Sequence, residues 1–192
     1  MSRKTAERDQ RKKLILDGAL KSYSEKGIDK MTMDDIALHS DFGKATIYYY
    51  FPSKEDIVCS LLETGWRNLW ESVEESVIEN VSPKSKFVNI LKQMSDIVFH
   101  DRLLYEFLFT APRNIKIPDN KASWKDFQKR TYATLQSIVD DGMKSGEFPS
   151  IEPNLFMKAV GGIFHGIVFM GEQKKLEQED IEKLISNFIS PS

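Results

Sequence analysis

The 192-residue sequence predicts an all-α protein: an N-terminal three-helix domain built around a helix-turn-helix, followed by a larger C-terminal helical domain. Three observations carry this. Apolar residues recur at three- and four-residue spacing along the chain, and no stretch alternates with the period of two that marks a strand. Helix boundaries carry their own chemistry, with Ser or Thr followed three residues on by an acid, and Gly or Pro at the ends. Residues 32–54, TMDDIALHSDFGKATIYYYFPSK, read as two short helices joined by a turn and followed by the start of a third.

The elements follow in order. Leu16, Ala19, Leu20 and Tyr23 form the stripe of a first helix, which Gly27 closes. Thr32 with Asp35 has the form of a capping box, in which hydroxyl and carboxylate satisfy exposed amides, so the second helix opens near Met33. Ser40-Asp41-Phe42-Gly43 is turn chemistry. The next helix is about two turns, Lys44–Phe51, because Pro52 cannot continue it. Ser53 and Asp56 repeat the cap signature, and the helix opening at Lys54 carries Ile57, Val58, Leu61, Leu62, Leu69, Val73 and Val77 to about Val81. Pro83 marks a boundary before Phe87–Phe99. Leu103–Ala111, a loop with Pro112 and Pro118, and Trp124–Lys144 closed by Gly146 come next. The domain boundary falls between the cap at Ser53 and Lys54, giving domains 1–53 and 54–192.

Two helices remain, Pro153–Gly171 and Gln178–Ile189. The first is apolar around much of its surface yet holds Gly161, Gly162 and Gly166, each costing about 1 kcal/mol relative to alanine. Close helix-to-helix approach is a reason to keep them. Wide apolarity points to a second chain, so a dimer is expected as a four-helix bundle with two helices from each copy. Phe156, Val160, Ile163, Phe164 and Ile167 would meet the stripe of Ile181, Leu184, Ile185 and Phe188 there.

The Lys44–Phe51 helix sorts by face, since successive side chains turn by about 100°. Ile47 and Phe51 share the inner side with Tyr50, while Lys44, Ala45, Tyr48 and Tyr49 project outward and Thr46 lies at the boundary. A groove reader needs a cation for phosphate or guanine, small residues for close approach and apolar atoms against thymine methyls. Three consecutive tyrosines also suit packing. The charge distribution adds to the first reading: the chain carries −2 overall, but residues 1–54 hold eleven Lys and Arg against eight Asp and Glu, a balance of +3, leaving −5 for the rest. Six of those cations, Arg3, Lys4, Arg8, Arg11, Lys12 and Lys13, precede the core of the first helix, where a flexible arm could reach phosphates or a minor groove or simply solubilise the chain.

Composition is that of an ordinary globular chain, 41% apolar and 29% charged. No apolar run approaches the length that spans a bilayer, and the N-terminus lacks the apolar core of a signal peptide, so no membrane partner and a cytoplasmic location are expected. Cys59 is the single cysteine, without metal-ligand companions, and is expected to be a buried thiol in a reducing compartment.

Thr-Met-Asp-Asp-Ile-Ala, then Gly-Lys-Ala-Thr-Ile-Tyr-Tyr-Tyr-Phe-Pro-Ser-Lys-Glu-Asp-Ile, resembles the DNA-binding motif of the TetR family of bacterial transcriptional regulators over about residues 10–60. The resemblance implies an all-helical homodimer that binds double-stranded operator DNA and releases it when a small molecule occupies the C-terminal domain. It implies that Lys44 and Ala45 face bases, with Tyr48 near a thymine methyl or phosphate, and that Thr32, Met33, Thr46, Tyr49, Tyr50 and Lys54 contact the backbone. Two positions depart from the pattern. Asp41 replaces the usual turn glycine and Gly43 the usual serine-like cap, and both replacements are compatible with the turn. At Asp34, where some relatives carry a base-reading arginine, a solvated helix-start charge is expected, with acceptance from a cytosine amino group as the alternative.

The middle helices would enclose an effector pocket for a small hydrophobic or aromatic compound, with Trp66, Phe99, His100, Tyr105, Phe109, Trp124, Phe127, His165 and Phe169 as its aromatic and polar lining. The same aromatics suit a core. The helix from Lys54 would be the lever between ligand and DNA. No catalytic constellation, cofactor motif or metal-ligand spacing can be assembled, so neither an enzyme nor a cofactor is expected. A DNA-binding adaptor of the same fold, acting through a protein partner, is the alternative to a ligand-responsive regulator.

Overall fold

The computed structural model describes residues 3–110, 117, 123–170 and 175–188, without the side chains of 186–188. Among them are nine helices: α1 Arg3–Lys30, α2 Met33–Ser40, α3 Lys44–Tyr50, α4 Lys54–Ile78, α5 Pro83–His100, α6 Arg102–Thr110, α7 Trp124–Lys144, α8 Pro153–Phe169 and α9 Gln178–Phe188. The expected loop positions Pro112 and Pro118, the helix ends Gly171 and Ile189, and the Phe188 side chain lie outside the described residues. The helices pack as two compact units, Met1–Trp66 with Arg102–Trp124, and Arg67–Asp101 with Lys125–Ser192. This grouping cuts across a division at residue 53, since α6 and the first part of α4 pack with α1–α3.

In the first unit α1 begins at Arg3, thirteen residues before Leu16, where the apolar stripe starts. The basic segment is therefore helical and not a flexible arm. It contains no Gly or Pro, and an Arg11–Glu7 ion pair of 2.9 Å one turn apart supports it. The φ of 72° at Gly27 breaks the helix, a backbone state that glycine adopts without steric penalty. Ile15, Ala19 and Leu20 of α1 are buried with Ile36 of α2, Ile47 of α3 and Ile57, Leu61 and Leu62 of α4. The α1–α2 approach depends on Gly18, where a Cβ would stand 2.8 Å from both the Cβ and the amide nitrogen of Ser40. On the other side of α1, the Tyr23 ring meets Phe107 of α6 edge-on at 5.1 Å. The Thr110 hydroxyl donates to the Glu106 carbonyl at 2.6 Å, so the Tyr23 hydroxyl, 2.7 Å from Thr110 Oγ1, is the donor to it. Gly65 admits Leu108, whose methyls would lie 3.0 and 3.2 Å from a Cβ there. Cys59 is half-buried, not in the core, because the inner side of α4 is taken by Ile57, Val58, Leu61 and Leu62.

The second unit is built on α5. Helix α4 ends at Ile78, three residues short of the expected Val81, and Ser82 caps α5 with Pro83 in its first turn, so Pro83 opens that helix four residues before Phe87. Phe87, Phe148 and Phe156 are buried as a ring cluster with centroids 5.1 to 5.8 Å apart. Glu147, tying this corner together, accepts from the Lys84 amide at 3.1 Å and from the Ser145 hydroxyl at 3.0 Å. Ahead of α9 the chain is strapped to α5: the Leu176 amide donates to the buried Ser95 hydroxyl at 2.9 Å, and Asp96 pairs with Lys175 at 2.6 Å and Lys92 at 2.9 Å. Arg130 of α7 lies 4.1 Å from the ring of Trp70 of α4, and both reach Glu74. The Glu152 carboxylate caps α8 through the amides of Asn154 and Leu155.

Gly18→Ala forces α1 and α2 apart against backbone that cannot yield, and is expected to destabilise the first unit by about 1–3 kcal/mol. Denaturant unfolding followed by fluorescence reads it, and an unshifted midpoint would contradict the close approach.

Candidate nucleic-acid interface

Local chemistry builds α2 and α3. Thr32 Oγ1 accepts from the Asp35 amide at 3.2 Å, while Asp35 Oδ2 accepts from the Thr32 amide at 3.1 Å and from its hydroxyl at 2.8 Å, closing the capping box that the sequence signals. Asp35 also receives Lys26 of α1 at 2.6 Å. Lys26, then Thr32, hold its carboxyl well below the usual range, at about 2 against an ordinary 3.8. Asp41 takes the left-handed conformation (φ 57°, ψ 36°) in place of glycine, the only non-glycine residue with positive φ among those described. Gly43 caps α3 with its carbonyl alone, which accepts from Thr46 and Ile47 at 2.8 and 3.2 Å. Ser53 and Asp56 exchange bonds of 2.7 and 3.2 Å at the start of α4.

With Ile47 and Phe51 buried, α3 exposes Lys44, Ala45, Tyr48 and Tyr49, and leaves Thr46 and Tyr50 half-buried. Tyr49 is 72% exposed although its ring stacks edge-on against Tyr50 at 5.1 Å. The Lys44 ammonium stands 2.8 Å from Asp34 Oδ1 and 3.0 Å from Oδ2, which raises the lysine pKa. Asp34, in the first turn of α2 and well exposed, is the solvated helix-start charge the sequence leads one to expect, and it also pairs with Lys44. Lys54 is also committed within the unit: its ammonium donates to the carbonyls of Ile28 and Met31 at 3.1 and 3.2 Å, leaving one donor over. Thr32 is exposed and Met33 half-buried beside the cap. Neither the Lys44–Asp34 pair nor the role of Lys54 has a signal in the sequence, because each joins residues ten or more positions apart with no fixed helical spacing.

The nine residues expected to line an effector pocket divide between the units. Trp66, Tyr105, Phe109 and Trp124 belong to the first, where Trp66, Tyr105 and Trp124 are buried and the Trp66 and Phe109 rings stand 6.0 Å apart. Phe99, His100, Phe127, His165 and Phe169 belong to the second, where His100 is exposed, His165 lies 5.2 Å from Phe169, and Arg67 lies 5.7 Å from the Phe127 ring.

Of the residues expected at a dimer surface, Phe156, Val160, Phe164, Ile181 and Ile185 are already buried within the chain, while Ile163, Ile167 and Leu184 are half-buried. A shallow apolar groove, open to solvent, runs between α5, α8 and α9, lined by Leu91, Ile163, Leu176 and Leu184 among others. The outer side of α8 presents Leu155, Ala159 and Gly162, with exposed Met170 just past its end. A Cβ added at Gly161, Gly162 or Gly166 meets nothing within 4 Å, so no part of the described chain makes the close approach the glycines suggest. Among the described residues no helix is long and apolar enough to cross a membrane, and no group of three metal-ligating side chains occurs.

Residues 15–61 match the family model described as bacterial regulatory proteins, tetR family. Over 191 residues the chain is 26% identical to the uncharacterized HTH-type transcriptional regulator YhgD of Bacillus subtilis (strain 168), an alignment covering 93% of this chain and 94% of that one. The fold resembles the crystal structure of AibR in complex with isovaleryl coenzyme A and operator DNA, with a TM-score of 0.78 at 16% identity over 95% of this chain and 100% of the other. It also resembles the transcriptional regulator FadR from Bacillus subtilis in complex with stearoyl-CoA, with a TM-score of 0.62 at 21% identity over 91% and 87% of the two chains. At these identities the two solved structures establish the fold.

The depressed Asp35 carboxyl links stability to acid. Its contribution is complete above the ordinary carboxyl value of 3.8 and is lost as pH falls toward about 2. Unfolding of wild type and Asp35→Asn across pH 2 to 5 is expected to show the wild-type advantage shrinking as the solution is acidified, and a constant difference would contradict it.

Proposed function

We propose that this chain is a TetR-family transcriptional regulator, matching the family model over residues 15–61, in which residues 1–53 bind a near-palindromic operator as part of a cytoplasmic homodimer and a small hydrophobic or aromatic effector held by residues 54–192 releases the DNA. The observation that carries the reading is the outward face of α3. A cation, a small residue and two exposed aromatics stand on a two-turn helix whose inner face is anchored by Ile47 and whose C-terminal end is anchored by Phe51. Such a helix can enter a major groove, with Lys44 and Ala45 toward base edges and Tyr48 against a thymine methyl or phosphate. Thr32, Met33, Thr46, Tyr49, Tyr50 and Lys54 flank it as backbone contacts, Lys54 through its remaining donor. The exposed residues of α1 from Lys4 to Lys13 add phosphate attraction.

The unfilled space over Gly161, Gly162 and Gly166 and the exposed apolar strip Leu155, Ala159, Gly162 and Met170 support a dimer made through α8. A second copy would supply the close approach that this chain does not. Two recognition helices one DNA turn apart would then read the two halves of the operator. Coenzyme A thioesters, present in the AibR and FadR structures, are the first effector class to test. The relatives are regulators of transcription, and no catalytic role is assigned to any residue here.

Selection of bound fragments from random DNA at fixed salt is expected to return a near-palindromic consensus, whereas sequence-blind binding would reject the operator reading. Lys44→Ala with Tyr48→Ala removes two groove contacts and should weaken binding to that consensus by at least about a hundredfold while leaving the fold intact. Leu155→Glu with Ala159→Glu, both exposed in the single chain, should give folded monomers in sedimentation and weakened operator binding. A stable dimer of that variant would place the interface elsewhere.

A further inference from the structure

Lys44 occupies an awkward place. It is the only cation on α3, and it stands in the first turn, where the positive end of a helix disfavours positive charge and Gly43 offers no side-chain cap. Asp34 answers it from the first turn of α2, a position where an anion is favoured. The ammonium sits 2.8 and 3.0 Å from the two carboxylate oxygens, and the two side chains remain 53% and 68% exposed. The pair is therefore displayed on the face that carries Ala45 and Tyr48, not buried as a structural tie.

A pair so exposed has hydrogen-bonding capacity left over. The ammonium has three donors, and the carboxylate has about four acceptor sites, of which Lys44 takes only some. What such a pair can meet in a major groove is narrow. A carboxylate is repelled by phosphate and by the acceptors guanine O6 and N7 and thymine O4, and is satisfied by the amino group of cytosine or adenine. An A·T pair sets its amino donor between single acceptors, adenine N7 on one side and thymine O4 on the other. A G·C pair sets the cytosine amino donor at the end of two adjacent acceptors, guanine O6 and N7, so that a carboxylate can take the amino group while the ammonium beside it bridges both acceptors.

We propose that Asp34 is a specificity-determining residue of the DNA interface: joined to Lys44, it forms a single acceptor–donor unit that selects a G·C pair and rejects bases presenting an acceptor at its place. The inference rests on the DNA-reading role proposed for α3 above. Asp34 contributes discrimination more than affinity, since it cancels the one cation of the helix. Removing its charge frees Lys44 to seek phosphate.

The test compares consensus sites selected by wild type and by Asp34→Asn, with affinities measured from low to moderate salt on the wild-type site and on its single-base variants. The wild-type consensus is expected to fix a G·C pair in each half-site. Asp34→Asn should relax the preference there by about five- to a hundredfold, the range of one base contact, and leave other positions unchanged. It should also steepen the fall of log affinity with log salt by about 0.9 per half-site, as one more phosphate is neutralised. If Asp34→Asn keeps the wild-type consensus, or weakens binding equally on all sites, Asp34 only positions Lys44 and the inference is overturned alone. A folded wild-type protein that yields no consensus overturns both this inference and the reading beneath it.

Discussion

Between Gly27, where the chain leaves α1, and Thr32, where it enters α2, the carbonyls of Ile28 and Met31 accept the Lys54 ammonium from the start of α4. At the α2 end of the same connection, the Asp35 carboxylate holds the Thr32 amide and hydroxyl and the Lys26 ammonium. One lysine and one aspartate thus hold the connection between them. The entry of α2, the turn at Asp41 and the direction of α3 follow from them, because each later element starts where the one before it is capped.

The two short helices were legible because their boundaries are local. A hydroxyl and a carboxylate three residues apart, a left-handed position filled by Asp, and a proline after Phe51 act over one turn, and each stands where the pattern places it. The inner and outer faces of α3 were legible for the same reason. Partnerships between helices were not. A stripe says that a helix buries one side without saying against what, so α6 could not be assigned to the first unit, nor could Lys54 be matched to two carbonyls of the α1–α2 connection. The buried positions of α8 and α9 show the same limit: Phe156 and Phe164 are apolar because their own chain covers them, and the pattern alone cannot separate that from cover by a second copy.

Charge in the first unit is arranged, not merely accumulated. The balance of +3 over residues 1–54 is spread along α1, where the cations face solvent on a rigid helix and lose less freedom on meeting a phosphate than a coil would. Near α3 the arrangement changes, and the one cation is matched to a neighbouring carboxylate. Long-range attraction and local discrimination thus fall to different elements, the first sensitive to salt and the second to the order of donors and acceptors.

The bond from Tyr23 to Thr110 and the ring contact of Tyr23 with Phe107 make α6 a wall of the same unit that carries α3. A phenol that must meet both a hydroxyl and a ring edge tolerates little sliding. Displacing α6 by even a fraction of its 5.4 Å pitch would break the bond or open the ring contact. Side chains of α1 would have to repack, and Gly18 leaves α2 no slack against α1. The nine residues of α6 are therefore keyed to α1 by one hydroxyl and one ring edge, and through α1 to the α2 packed on Gly18.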